Sequence, residues 1–229
     1  MAKDPIIEKA LKNGQTALSE HDSKLLLEKY GVPVAPERLV QTADEAAAAA
    51  SEIGYPVVLK ACGSEISHKT ERELVVVGIR GEEELRFAFD KVLTNLGDTP
   101  REGVLIQPMV SGERELVIGL IRDPQFGPCV MFGLGGVFTE VLDDVAFRMV
   151  PLTPGDAREM IGEIRARKIL DPFRGEAAID QEILGHVLVS LGRIGLEYEN
   201  VAAIDINPLK VRPDGKPVAV DALVVLRKE

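Results

Sequence analysis

The chain has 229 residues, 45% of them hydrophobic and 28% charged, which is enough apolar material for a core and the composition of an ordinary globular enzyme. A formal charge of -10 with a pI near 5.0 argues against a nucleic-acid binder, because a phosphate backbone is held by clustered Lys and Arg and no such cluster is present. Any anionic ligand must then be met by a few local cations, backbone amides or a metal ion.

In chain order, residues 5–12 and 20–30 are predicted helices. The second has Asp22 or Ser23 as a cap, a Leu25–Leu27 apolar run and Gly31 as a stop. PERLV reads as a short strand. TADEAAAAASEIG is a helix opened by Thr42, with Glu45 at the capping-box spacing, and ended at Gly54. VVLKA follows as a strand, LVVVGI at 74–79 as another and EEELRFAFDKVL as an amphipathic helix, before GVLIQPMV, a strand interrupted by Pro108. Beyond Ser111-Gly112 come the strand candidates ELVIGLI, PCVMFG and VAFRMV with glycine turns between them. Helices near 154–167 and 177–194 precede the strands VAAIDI and PVAVDA.

This order predicts two α+β lobes, residues 1–110 with the N-terminal helices and residues 111–229, with a small-ligand cleft between them. Cys62 and Cys129, far apart in sequence, make neither a disulfide framework nor a C-x-x-C metal site and read as small buried residues. MAKDPIIEKALKNG carries charges where a signal peptide needs its apolar region, and LVIGLI is closed by Glu115 and Arg122. No membrane segment is expected, and the cytoplasm is the expected compartment.

Four groups of residues carry candidate chemistry. Lys60 falls near the end of the strand YPVVLKA, a cation in an apolar setting that a phosphate would satisfy, unless the ammonium reaches water along its own stem. MFGLGGVFTE puts Gly133, Gly135 and Gly136 in a turn, leaving amides free to approach an anion, with Glu140 just beyond; a plain β-turn explains the pattern equally well. IDINPL, the turn DGKP and VAVDA form a hairpin in which Asn207 and Asp221 are equidistant from the turn, with Asp205 close on the first strand. Such oxygen ligands suit a hard Mg²⁺, although Asn207-Pro208 can also be turn chemistry and Asp221 a solvated charge. His68 sits on the polar segment GSEISHKTE, flanked by Glu65, Lys69 and Glu71, where a neutral imidazole can accept a phosphoryl group. His21 and His186 read as surface or packing residues.

Together LSEHDSKLLLEKYGVPV, GYPVVLKACGSEISHKTE, VLIQPMVSGERELVIG, MFGLGGVFTEVLDDVAFRMVPL and AAIDINPL resemble the ATP-grasp β subunit of ADP-forming acetyl-CoA synthetases, relatives of succinyl-CoA synthetase, over residues 17 to 225. The resemblance implies an ATP-grasp fold in which two α/β lobes hold ATP or ADP with Mg²⁺ in the cleft between them. It implies that Lys60 contacts the nucleotide phosphates and that Ile106, Gln107, Pro108, Met109 and Val110 form the hinge against adenine. Glu113 or Glu115 would reach the ribose, Gly135 and Gly136 would lie over the phosphates, and Asn207 and Asp221 would hold Mg²⁺. His68 would be a second phosphorylation site, relaying phosphate between a histidine of the α subunit and ADP. One departure stands out: where many relatives continue H-K-S/T with D-x-G-G-V, this chain has ERELVVV, with Glu73 and Leu74 replacing the glycine pair.

GLGG is not followed by a long helix in a βαβ unit, so the chain lacks a convincing CoA-binding unit of the dinucleotide type. A separate α subunit carrying the CoA-binding and phosphohistidine domains is therefore the expected partner. Two other readings of the same residues are a carboxylate–amine ligase of the ATP-grasp fold and a nucleotide sensor that binds without turnover.

Overall fold

The computed structural model describes residues 3–66, 69–136 and 144–227. The chain divides into two compact units: one comprises residues 1–18, 22–34 and 110–229, the other Ser19–His21 and Ala35–Met109. The short helices α1 (Pro5–Lys12) and most of α2 (Glu20–Lys29) thus cluster with the C-terminal half of the chain.

The smaller unit is a four-stranded antiparallel sheet in the order β1 (Arg38–Val40), β4 (Gly103–Pro108), β2 (Val57–Cys62), β3 (Val75–Ile79). Two helices, α3 (Ala43–Ile53) and α4 (Glu82–Leu96), pack on it. Thr42 accepts the Glu45 N–H while Glu45 reaches back to the Thr42 N–H, closing the expected capping box. Small Ala46 and Ala50 on α3 and larger Leu85, Phe89 and Val92 on α4 meet Leu59, Ala61, Val104 and Ile106 in one core. By the two-residue strand period, Val58 and Lys60 point away from that core.

In the larger unit six strands form an antiparallel sheet in the order β10 (Leu223–Leu226), β8 (Val201–Val211), β5 (Arg114–Asp123), β6 (Gly127–Leu134), β7 (Val145–Met149), with β9 (Pro217–Ala219) pairing β8. Leu116, Ile118, Leu120, Val130, Phe132, Ile204, Ile206 and Val224 bury one face against α5 (Pro154–Glu163), α6 (Gln181–Glu197) and the N-terminal helices. The alternate positions, among them Glu115, Met131, Phe147, Asp205, Asn207 and Leu223, occupy the other face.

Three predicted elements have different bounds, each for a local reason. The helix expected over 154–167 stops at Glu163, because the Arg165 and Ala166 N–H groups both donate to the Asp144 carboxylate at 2.8 Å; a 3-10 turn, Arg167–Leu170, follows. The helix expected from 177 starts at Gln181: the Ala177 and Ile179 N–H groups donate to the Pro213 and Leu170 carbonyls, and Asp180 caps Glu182 and Ile183. PVAVDA is not one strand. It breaks after Ala219, whose N–H donates to the Pro33 carbonyl at 2.8 Å, and pairing resumes in β10, an element the sequence reading lacked.

Candidate functional site

The hairpin that ends the chain positions a set of oxygen donors. β8 pairs β9 at Leu209↔Ala219 and β10 at Asp205↔Leu223, which is one register on both sides of the break. Asp221 therefore stands across from Asn207, and the Val220 N–H still donates to the Pro208 carbonyl at 3.3 Å. Asp205 and Asn207 are exposed and Asp221 half-buried. The Asp205 carboxyl is raised above the usual carboxylate range, first by desolvation and then by the charge of Asp221, so the two acids lie close enough to repel. A divalent cation relieves that repulsion. Two carboxylates and one amide are oxygen ligands of the kind Mg²⁺ takes, with the remaining positions open to water and phosphate. Among the described residues there is no group of three or more His, Cys, Asp or Glu arranged for a metal.

Lys60 is not an isolated cation. It lies within β2, which runs on to Cys62, and is only 5% exposed. Its Nζ donates to Glu20 Oε1 at 2.7 Å, and Lys69 Nζ donates to Glu20 Oε2. Glu20, the first residue of α2, is itself 3% exposed. The sequence reading gave Glu20 no role; a lone acid at a helix start looks like any favourable first-turn charge.

The glycine segment also differs from expectation. Gly133 lies within β6 opposite Val145 and Val117 and not in the turn. The Gly135 amide is not free for an anion, since it donates to the Glu115 carbonyl at 2.8 Å. A Cβ on Gly135 would meet the Glu115 and Leu116 backbone at 2.8 to 2.9 Å, so close approach of two chains requires glycine here. Gly136 has φ +65° with the Glu115 carboxylate beside it. Glu115 pairs with Lys210 at 3.4 Å, across the β5–β8 ladder.

In the predicted hinge, Ile106 and Gln107 are buried in β4, Pro108 ends the strand, Met109 is 48% exposed and Val110 is half-buried. The Met109 N–H donates to the Pro56 carbonyl at 3.0 Å. Glu113 is exposed; its N–H donates to Glu176 at 3.0 Å and Arg174 lies 3.4 Å from its carboxylate. His68 and Glu140 lie outside the described residues. At the departure from the H-K-S/T pattern, Glu73 holds φ +51°, a left-handed conformation that glycine adopts without cost, while Leu74 is fully buried. The second replacement thus fills core space, and the first carries local backbone strain. His21 Nδ1 lies 2.8 Å from Glu37, and His186 packs against Gly31.

Both sheets, the glycine crossing and the terminal hairpin define an ATP-grasp protein: the sequence profile described as ATP-grasp domain matches residues 9–226. The chain is 41% identical to the acetate–CoA ligase [ADP-forming] II subunit beta of Pyrococcus furiosus, over 97% of both chains. It also superposes on acetyl-coenzyme A synthetase 1 of Ca. Korarchaeum cryptofilum solved with coenzyme A and Ca-AMPCP, with TM-score 0.91, 44% identity and coverage of 96% of this chain and 98% of that one. In a second structure of that enzyme, with coenzyme A and Mg-AMPPCP, a phosphohistidine segment points towards the nucleotide binding site; the match has TM-score 0.84 and 43% identity over 97% and 98% of the chains. The chain belongs to the ATP-grasp β subunits of the ADP-forming acetate–CoA ligases. No helix among the described residues is long and apolar enough to cross a membrane.

Proposed function

We propose that this chain handles the nucleotide in the reaction acyl-CoA + ADP + phosphate = acid + ATP + CoA, with an α subunit carrying the CoA-binding and phosphohistidine domains. The cytoplasm, expected from the charged N-terminal segment, is the compartment this reading takes. The observation that carries the reading is the hairpin register that sets Asn207 against Asp221 beside Asp205, in a chain 41% identical to such a β subunit. Asn207 and Asp221 would hold Mg²⁺ with help from Asp205. When bound, the ion neutralises phosphate charge.

Lys60 contacts the nucleotide phosphates, and the backbone of Gly135 and Gly136 closes over them. The segment Ile106, Gln107, Pro108, Met109 and Val110 meets adenine. Because the Met109 N–H already donates within the chain, that contact runs through other groups of the segment. Glu113 or Glu115 serves the ribose. His68 takes the phosphoryl group from the partner's phosphohistidine: one N–P bond breaks as another forms. An oxygen of the ADP β-phosphate then displaces the His68 nitrogen to give ATP. The chain's contribution is positioning and charge, which suits a transfer with little covalent chemistry of its own.

Incubating the assembled α and β chains with γ-labelled ATP should leave acid-labile, base-stable label on both, and His68→Ala should remove it from this chain and, because the label reaches the α histidine through His68, from the α chain as well. An amine-ligase or sensor reading gives no such label. ATP formation from acetyl-CoA, ADP and phosphate by this chain without a partner would refute the division of labour.

A further inference from the structure

Three ionised groups meet on the face of β2 turned away from the α3–α4 core: Lys60, Lys69 and the carboxylate of Glu20. The side chains of Lys60 and Glu20 are 6% and 1% exposed, and that of Lys69 is 16%. Buried ion pairs are poor sources of stability, because desolvating both partners offsets most of their attraction and apolar groups of the same volume serve a fold as well. The rest of β2 is apolar and fully packed, so a methionine at position 60 would have met the packing requirement. The arrangement is also specific. Each carboxylate oxygen takes one ammonium, Oε1 from Lys60 and Oε2 from Lys69. Lys69 is fixed a second time through its backbone, whose carbonyl accepts the Leu74 N–H at 2.7 Å, while the Leu74 carbonyl accepts the Ala61 N–H beside Lys60.

We infer that Glu20 is a positioning residue for nucleotide binding: its carboxylate holds the ammonium groups of Lys60 and Lys69 in fixed places, so that Lys60 presents its charge to phosphate without ordering a flexible stem. This rests on the reading that Lys60 contacts nucleotide phosphates. A lysine side chain is rich in rotamers and loses that entropy on being fixed. Prior anchoring at Glu20 removes most of that cost from the binding step. The effect belongs to phosphate alone, since adenosine has no group for Lys60 to meet.

The test measures, on the chain assembled with its α partner, the ratio of the Kd of adenosine to that of Mg-ADP, together with thermal unfolding. Glu20→Gln keeps the shape and removes the charge; Glu20→Asp keeps the charge and shortens the reach. Glu20→Gln is expected to lower the ratio about tenfold and Glu20→Asp to lower it less, with adenosine affinity unchanged. In a Lys60→Met background Glu20→Gln should lower it no further, because Glu20 acts through Lys60. A folded Glu20→Gln variant with the ratio of the wild type, or loss of folding in both Glu20 variants, would overturn the inference and leave Glu20 a structural residue. If Lys60→Met leaves the ratio unchanged, the phosphate role of Lys60 fails instead.

Discussion

An ammonium group buried in a strand destabilises a fold unless a counter-ion is built beside it, and for Lys60 that counter-ion comes from 40 positions earlier in the chain. Two positions on, Cys62 shows the same exclusion of water. Burial pushes its thiol from 9.0 up to about 12, against smaller opposing hydrogen bonds from His21 and Ser19. A raised pKa means the folded chain holds the proton more tightly. The associated stability is complete below the unfolded thiol's pKa and falls as pH rises from about 9 towards 12. Urea unfolding should therefore show the native chain losing about 1 kcal/mol more than Cys62→Ala between pH 9 and pH 10. Equal losses would show that Cys62 ionises alike in the folded and unfolded chains. Glu73 and Leu74 make the complementary point. One accepts a left-handed backbone and the other fills the core directly before β3.

Elements here are bounded by side chains from distant segments as much as by their own propensities. Arg114, the first residue of β5 and 1% exposed, shows the scale of this. Its guanidinium donates to Glu176 at 3.0 Å, to the Ile169 and Asp171 carbonyls at 3.2 Å and to the Ala177 carbonyl. The segment between α5 and α6 has little regular hydrogen bonding of its own and takes its course from these bonds. Arg114→Ala should cost about 3 to 5 kcal/mol in chemical denaturation, because it leaves Glu176 and three carbonyls without this donor. A loss below about 1 kcal/mol would mean that water replaces the guanidinium without cost. Glu176 also accepts the Glu113 N–H, so hydrogen exchange at Glu113 should quicken in the same variant.

At the scale of the whole chain, each unit has its own apolar core, and the oxygen set of the terminal hairpin belongs to the larger one. A ligand that binds only the folded chain stabilises it by mass action: about 2.7 kcal/mol for Mg-ADP at 100 times its Kd. The thermal midpoint should rise accordingly with ADP and Mg²⁺ together. It should rise much less with ADP and a chelator, and Asp221→Ala should abolish the difference between the two. A Mg²⁺ effect that persists in Asp221→Ala would remove the hairpin from the metal site. By itself the sequence determined what local periodicity and fixed spacing encode: most strands and helices, the capped α3, the pairing of Asn207 with Asp221 across a short turn, and the motifs of the ATP-grasp resemblance. Those signals lie within a few residues or within one hairpin. The tertiary structure alone decided that Glu20 neutralises Lys60, that the Gly135 amide is occupied by Glu115, that Asp144 and Pro213 move two helix boundaries, and that the first helices cluster with the C-terminal unit. Each of these is a contact between residues remote in sequence, and burial and hydrogen-bond partners across such distances exist only once the chain has folded.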